Sequence, residues 1–293
     1  MWFVFAFLSA VFYSFRGALE KLLVARVNRY VLGFGIRIFA LPFFIIPFII
    51  KPDLFVPLSE LPWEFWAVVL VVSFVNVPLE AYFYYKSIKH EEISLALPIL
   101  SLAPVFTIFF AMAFLGEYPS IIGALGVIVI LFGVYALKID HARYGLLEPL
   151  HHLRKNRSVQ MMLIVAISLG IAAVFDKIGV TTSNAYMYAL INYMLMSTAL
   201  FIFAAVKARQ HLGQLWAHAR DFLVIGVVVA SYTLLYNLAL AIGNTSYVIA
   251  IRNASLLITI ILGVLWLKEK DLRTKLFAGA IIVAGLICLK VFG

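Results

Sequence analysis

Residues 93–138 read ISLALPILSLAPVFTIFFAMAFLGEYPSIIGALGVIVILFGVYALK, and Glu117 and Lys138 are the only charged residues among them. Two apolar blocks flank one polar turn, Leu115–Gly116–Glu117–Tyr118–Pro119–Ser120. Each block holds roughly 20 residues, enough for a helix rising 1.5 Å per residue to cross a hydrocarbon layer about 30 Å thick. Lipid offers the backbone no hydrogen-bond partner, so a spanning segment must be a helix or part of a closed barrel. Barrel strands are about 10 residues of alternating polarity. These blocks are longer and continuous, so the stretch reads as two transmembrane helices joined by a tight turn.

The same reading extends outward to the whole chain. Ten spans are expected, at Trp2–Leu23, Tyr30–Ile50, Trp63–Tyr85, Ile93–Leu115, Ser120–Leu137, Val159–Ile178, Ala185–Val206, Phe222–Ile242, Tyr247–Leu267 and Thr274–Phe292. The expected fold is therefore all-α, a polytopic membrane protein of about ten helices. Composition agrees: 65% of the 293 residues are hydrophobic and 13% charged, too few charges for a water-facing surface. Met1–Leu23 has no basic leading region and no small-residue cleavage site, so it reads as the first span. The lone Cys288 cannot form an intramolecular disulfide, and no Cys/His cluster has zinc spacing. His141, His151 and His152 fall in one polar loop and read as solvated; no metal or cofactor is implied.

The net charge of +9 reflects membrane orientation and not nucleic-acid binding. Seventeen of the 23 Lys and Arg residues fall in the odd-numbered connections, while the even-numbered ones hold only Lys51 and Lys177. Basic loops stay cytoplasmic, which places the odd loops inside and both termini outside.

The longest connection, Lys138–Ser158, divides the chain into two five-span halves, 1–147 and 148–293. Ala96–Lys138 can be laid on Val248–Lys290 without a gap. The matched pairs include Thr107/Thr259, Glu117/Glu269, Ile130/Ile282 and Gly133/Gly285, and Ser94/Ser246 and Tyr84/Tyr236 carry the register upstream. Asn28 and Asn184 follow the first span of each half. Because each half has an odd number of spans, the second must insert upside down. Inverted repeats of this kind mark transporters that alternate access by rocking one repeat against the other.

Ser94, Pro98 and Pro104, the turn 115–120, and Gly123, Gly126 and Gly133 together resemble the pattern of EamA-type members of the drug/metabolite transporter superfamily. The pattern recurs more faintly at 246–285, where Glu269 and Gly285 remain. There Ala250 and Leu256 replace the two prolines, and Lys275 and Ala278 replace two of the glycines. Tyr236–Asn237–Leu238–Ala239–Leu240 resembles the family's Tyr-x-x-Ala-Leu element. The resemblance implies a small-molecule exporter. Its members are often drawn with both termini cytoplasmic, opposite to the charge count here.

Ionisable groups inside a span cost about 2.5–3.5 kcal/mol at a helix centre on insertion scales, so they face a cavity or a partner. The candidates are Arg16 and Glu20 in span one, Arg37 in span two, Glu80 in span three, Asp176 in span six and Arg252 in span nine. Glu80, in Asn76–Val77–Pro78–Leu79–Glu80, is a candidate proton-coupling or cation-binding carboxylate, or half of a structural ion pair. Arg252, one turn into its span beside Asn253, suits an anionic group, because guanidinium recognises carboxylate and phosphate; alternatively it pairs with Glu80 or reaches the interface. Arg16 and Glu20 stand four apart and can pair on one face, with Arg37 an alternative partner for Glu20. Asp176 and Lys177 read as interface anchors. Glu117 and Glu269 read as caps for the helix that follows each turn. Pro98 and Pro104 break the hydrogen-bond ladder of span four, so its Ser101 and Thr107 are expected to face the central pathway, opposite Asn253 and Thr259 of span nine. Tyr84, Asn192, Tyr193, Tyr236 and Asn237 are further polar candidates, and Gly123, Gly126 and Gly133 read as packing positions.

The leading expectation is a secondary transporter of a small polar or amphipathic metabolite in the cell membrane, with protons as a candidate coupling ion. No Walker A motif is present. The three intramembrane arginines favour an anionic or zwitterionic substrate. A lipid-linked sugar translocator is a variant of the same class, and a non-transporting receptor or scaffold is the alternative outside it. An intramembrane enzyme would need a nucleophile–base pair, a metal cluster or paired aspartates, and the spans hold none of these. The topology is testable: in a Cys288→Ala background, Gly145→Cys should react with an impermeant maleimide in inside-out vesicles and stay unlabelled in intact cells. Labelling of intact cells would reverse the orientation.

Overall fold

The computed structural model describes residues 1–24, 26–88, 96–138, 156–267 and 272–292, and no strand occurs among them. Among the described residues, seven segments are long and apolar enough to cross a membrane: Trp2–Val24, Arg29–Ile50, Trp63–Tyr84, Pro98–Leu115, Arg157–Thr182, Ala185–Lys207 and Ala219–Ile242. Three shorter apolar helices, Ile121–Leu137, Thr245–Ile258 and Ala278–Phe292, occupy the other expected blocks.

The helices are α1 (Trp2–Val24), α2 (Arg29–Ile38), α3 (Leu41–Ile50), α4 (Trp63–Val71), α5 (Val77–Ile88), α6 (Ala103–Leu115) and α7 (Ile121–Lys138). They continue as α8 (Arg157–Thr182), α9 (Ala185–Lys207), α10 (Gln214–Ala217), α11 (Ala219–Ile242), α12 (Thr245–Leu267) and α13 (Leu272–Phe292).

Three expected spans are not single α-helices. Span two breaks at Phe39–Ala40 into α2 and α3, just before Pro42, which lacks a backbone N–H for the ladder. Span three passes through a π-helical turn at Val72–Asn76 before Pro78. Span four opens as a 3-10 helix, Leu97–Leu102, and becomes α-helical only at Ala103, so Pro98 and Pro104 each lie near the start of a segment, where a missing donor matters least.

The chain forms two compact units, and neither coincides with a sequence half. Unit 1 comprises Met1–Val75 and Phe175–Ile242; unit 2 comprises Asn76–Val174 and Gly243–Gly293. The changes of unit fall inside span three, inside α8 and between α11 and α12, so each unit is built from both halves of the sequence. The expected boundary at 147/148 lies outside the described residues.

In unit 1, α1 packs along α11, and α9 packs on α2, α3 and α4. The core joins Val31, Ile36, Ala40 and Phe44 to Phe222, Ile225 and Val229. Gly226 lets α11 press against the break in span two: a Cβ there would sit 2.5 Å from the Phe39 carbonyl oxygen. Asn28 and Asn184 are matching N-caps, each accepting a bond of 3.0 Å from the backbone N–H two residues on, at Tyr30 and Tyr186.

In unit 2 the dominant contact is α7 on α13. It is reciprocal: a Cβ on Gly133 would meet Ile282 at 2.6 Å, and one on Gly285 would meet Ile130 at 2.6 Å. These are the pairs that the internal alignment equates, Ile130 with Ile282 and Gly133 with Gly285. Such i-to-j, j-to-i contact is what a local two-fold relation produces. A larger side chain at either glycine must push the helices apart, and overpacking of this kind costs about 1–3 kcal/mol. Gly133→Leu and Gly285→Leu should therefore each lower the detergent-solubilised melting temperature by a similar amount. A clear effect in one and none in the other would refute the reciprocity.

Candidate functional site

Unit 1 holds a polar cluster inside its spans. Tyr13, Arg16 and Glu20 share one face of α1, since residues three, four and seven apart align on a helix. Arg16 Nε lies 3.2 Å from Glu20 Oε2, so the expected ion pair forms. The contact is one of charge, because this N–H makes no hydrogen bond among the described residues. The guanidinium also lies over the rings of Tyr13 and Tyr232, at 5.5 and 5.7 Å from their centroids, and its Nη1 is 3.5 Å from the Tyr232 hydroxyl. Tyr232 is held by a chain of hydroxyls: its oxygen is 3.1 Å from that of Tyr193, which is 2.8 Å from Thr233 Oγ1. Ser9 donates to the Tyr232 carbonyl at 3.0 Å, tying α1 to α11 at this level.

Arg37 does not take Glu20 from Arg16. Its Nη1 donates to the Gly33 carbonyl at 3.1 Å, and its charge acts on Tyr193 and Tyr232. It stands in the last turn of α2, where a cation complements the helix dipole just before the break in span two.

A second cluster in unit 1 surrounds Asp176. The Tyr188 hydroxyl donates to Oδ1 at 2.6 Å and the Tyr236 hydroxyl to Oδ2 at 3.4 Å. Asp176 is half-buried, and its carboxylate serves two tyrosines of neighbouring helices instead of acting as the interface anchor expected from sequence. Gly179 makes this possible, since a Cβ there would lie 2.1 Å from the Tyr188 ring. Lys177 turns away and donates to the Leu240 carbonyl near the end of α11. Asn237 donates to the Ala185 carbonyl at 3.1 Å, and Asn192 accepts from Ser73 at 3.1 Å. Both amides act as bridges between helices.

In unit 2, Glu80 lies one turn into α5 and accepts from the Ser168 hydroxyl at 3.4 Å. Asn76, at the end of the π-helical turn, donates to the carbonyl and hydroxyl oxygens of the same Ser168, at 3.1 and 3.2 Å. Ser168 was missed by sequence reasoning; its only signal is a small polar residue within an apolar span. Arg252 and Asn253 are half-buried on α12, two turns in and not one, because the helix starts at Thr245. Ser101 and Thr107 are buried with their hydroxyl donors turned back on their own segment, Ser101 to Pro98 and Thr107 to Ala103 at 3.0 Å. Tyr84 packs against Ala96, Ile99, Val159 and Met162. Ser94, Glu269 and the loop histidines lie outside the described residues, as do the surroundings of the Thr259 side chain.

The turn after α6 is a third polar assembly. Gly116 adopts φ 64°, and the Glu117 N–H closes back on the Ala111 carbonyl at 3.2 Å, which ends the helix. Glu117 does act as a cap, but for a distant helix: its Oε2 accepts from the N–H of Thr245, at the start of α12, at 2.7 Å. The helix that follows is capped instead by Ser120, whose Oγ accepts from the Gly123 N–H at 3.0 Å. The Ser120 N–H donates to the Tyr247 hydroxyl at 2.9 Å, which fastens the turn to α12 a second time. Gly123 leaves room for that ring, as its expected packing role requires.

Comparison with known proteins agrees with this architecture. The profile of the EamA-like transporter family matches the chain twice, at residues 1–138 and 156–291. A solved structure described only as "Crystal structure of protein" has the same fold, with a TM-score of 0.75 at 15% identity; the alignment covers 98% of this chain and 96% of that one. No curated protein matches the sequence.

The Glu117 cap can be checked directly. Losing a capping acceptor costs about 1 kcal/mol, so Glu117→Ala should lower thermal stability in detergent and Glu117→Gln should restore part of it. Equal melting temperatures for all three proteins would show that the bond to Thr245 contributes nothing.

Proposed function

This chain belongs to the EamA-like transporter family, a family of multi-pass membrane proteins, and from that premise we propose that it is a secondary transporter of a small polar or amphipathic metabolite. The proposed architecture is ten spans in two inverted five-helix repeats, 1–147 and 148–293, working by alternating access. The observation that carries the reading is the double match of the family profile, one to each half of the chain. The reciprocal Gly133–Ile282 and Gly285–Ile130 contacts support a duplicated origin. Export or exchange is the proposed direction, across the cell membrane. The intramembrane arginines suit an anionic or zwitterionic cargo.

Glu80 is the proposed coupling group. It accepts from the Ser168 hydroxyl at 3.4 Å, and a hydroxyl can serve a carboxyl in either protonation state. Arg252 is proposed to help hold the cargo.

The test is efflux from proteoliposomes loaded with a mixed metabolite pool, with a pH gradient imposed and the external medium read by mass spectrometry against protein-free vesicles. Selective release of one compound class is the expected result, and collapse of the gradient should slow it at least tenfold if protons drive it. Glu80→Gln and Arg252→Ala should each reduce that flux at least tenfold while inserting normally. Release no greater than leakage from empty vesicles, with folded protein present, would refute transport.

A further inference from the structure

The α1 face of unit 1 has a feature that ion pairing alone does not account for. Gly17 lies between Arg16 and Glu20, is exposed, and has nothing among the described residues within 4 Å of where a Cβ would stand. At about 100° per residue, Tyr13, Arg16, Gly17 and Glu20 occupy one arc of the helix. Of the exposed apolar residues of α1, Val4, Phe7, Leu8 and Leu22 occupy the opposite arc, while Val24, in the last turn, falls on the Arg16 side. That apolar arc suits hydrocarbon. The opening at Gly17 is on the other side, the side that carries Ala6, Ser9 and Ala10, all buried.

Depth excludes a simple interfacial role for Arg16. It stands eight residues from Val24, about 12 Å along the helix axis. Its guanidinium lies over the Tyr13 ring, further from that end still, so the side chain does not snorkel toward the near interface. Arg16 and Glu20 retain 22% and 34% side-chain exposure. A charged pair left partly open at this depth would be costly against lipid, so the opening must hold water or a ligand. Arg37 adds a second positive charge acting on Tyr193 and Tyr232. The buried Arg16 Nε–H has no hydrogen-bond acceptor among the described residues.

We propose that this face is the site for the cargo's anionic group, with Arg16 as anchor and the bare backbone at Gly17 as the floor for a flat, apolar body; the cargo class is then a monocarboxylate. The proposal rests on the transporter reading and deepens it. Tyr13 and Tyr232 hold the guanidinium plane between them, and the Tyr193–Thr233 hydroxyl chain fixes Tyr232. Glu20 neutralises Arg16 when the site is empty.

The experiment needs no flux. In the full-length Cys288→Ala protein in proteoliposomes, Gly17→Cys is treated with a sulfonate-bearing and a trimethylammonium-bearing methanethiosulfonate, each rate normalised to that with free cysteine. The anionic reagent should be favoured at least tenfold, because a positively charged cleft concentrates anions. Benzoate should slow labelling at least tenfold, and benzamide, its uncharged counterpart, should not. Val4→Cys, on the lipid-facing arc, should resist both reagents.

Adding Arg16→Gln should abolish both the charge preference and the benzoate protection. Arg16→Lys should keep the preference and lose most of the protection, since a lysine lacks the two-pronged fork; it covers the case in which Arg16→Gln fails to fold. The proposal is overturned if Gly17→Cys is unreactive, if normalised rates do not depend on reagent charge, if benzoate gives no protection, or if both Arg16 variants behave like the parent. Labelling as expected with no efflux of any metabolite would sink the transporter reading and leave the anion site. Efflux with charge-blind labelling would do the reverse.

Discussion

The structure depends on one constraint: in hydrocarbon, every backbone and side-chain polar group must find its partner within the protein. The regular parts of the helices meet it automatically. The irregular parts meet it by specific devices. Where span two breaks at Phe39–Ala40, both N–H groups still bond to α2 carbonyls, Phe39 to Gly35 and Ala40 to Arg37. Where span four starts as a 3-10 helix, Ser101 and Thr107 turn their hydroxyls to Pro98 and Ala103. At the π-helical turn of span three, Asn76 reaches Ser168. Each interruption therefore comes with a polar side chain or a short-range backbone bond beside it.

The same constraint explains why helix association here relies on close approach. Lipid tails are as apolar as leucine, so no hydrophobic force drives helices together and contact must come from van der Waals packing and interhelical hydrogen bonds. Gly226 against Phe39, Gly179 against Tyr188, and Gly133 and Gly285 against Ile282 and Ile130 are the approaches that make this possible. The polar bridges Ser73–Asn192 and Asn237–Ala185 add direction to the packing of unit 1. Ser73, Asn192 and Asn237 are thus structural joints.

Charge is handled differently in the two units. In unit 1, Asp176 accepts from two tyrosine hydroxyls, whereas Arg16 has a charge contact, two ring faces and one long contact with the Tyr232 hydroxyl, with an opening beside it. In unit 2, Glu80 has a serine hydroxyl, and Glu117 caps a helix far away in sequence. An ionised group with a full set of donors is a structural element. One whose donors are left over is available for chemistry, and this contrast singles out Arg16.

The sequence by itself determined the class of fold and the places of the helices, because span length and apolarity are set by the thickness of the bilayer and need no tertiary information. It also determined the Arg16–Glu20 pair, since four-residue spacing on a helix brings two side chains together without help from any other element. The pairing of Ile130 with Ile282 and Gly133 with Gly285 was legible as an alignment, but not as a contact. Only the tertiary structure decided that Asp176 faces tyrosines, that Glu117 caps α12, that Ser101 and Thr107 bond locally, and that the compact units cut across the sequence halves. The physical reason is the same for all four. Helical periodicity says which residues share a face, but which neighbour that face meets depends on how separate helices cross, and that is set by side-chain packing between segments far apart in the chain.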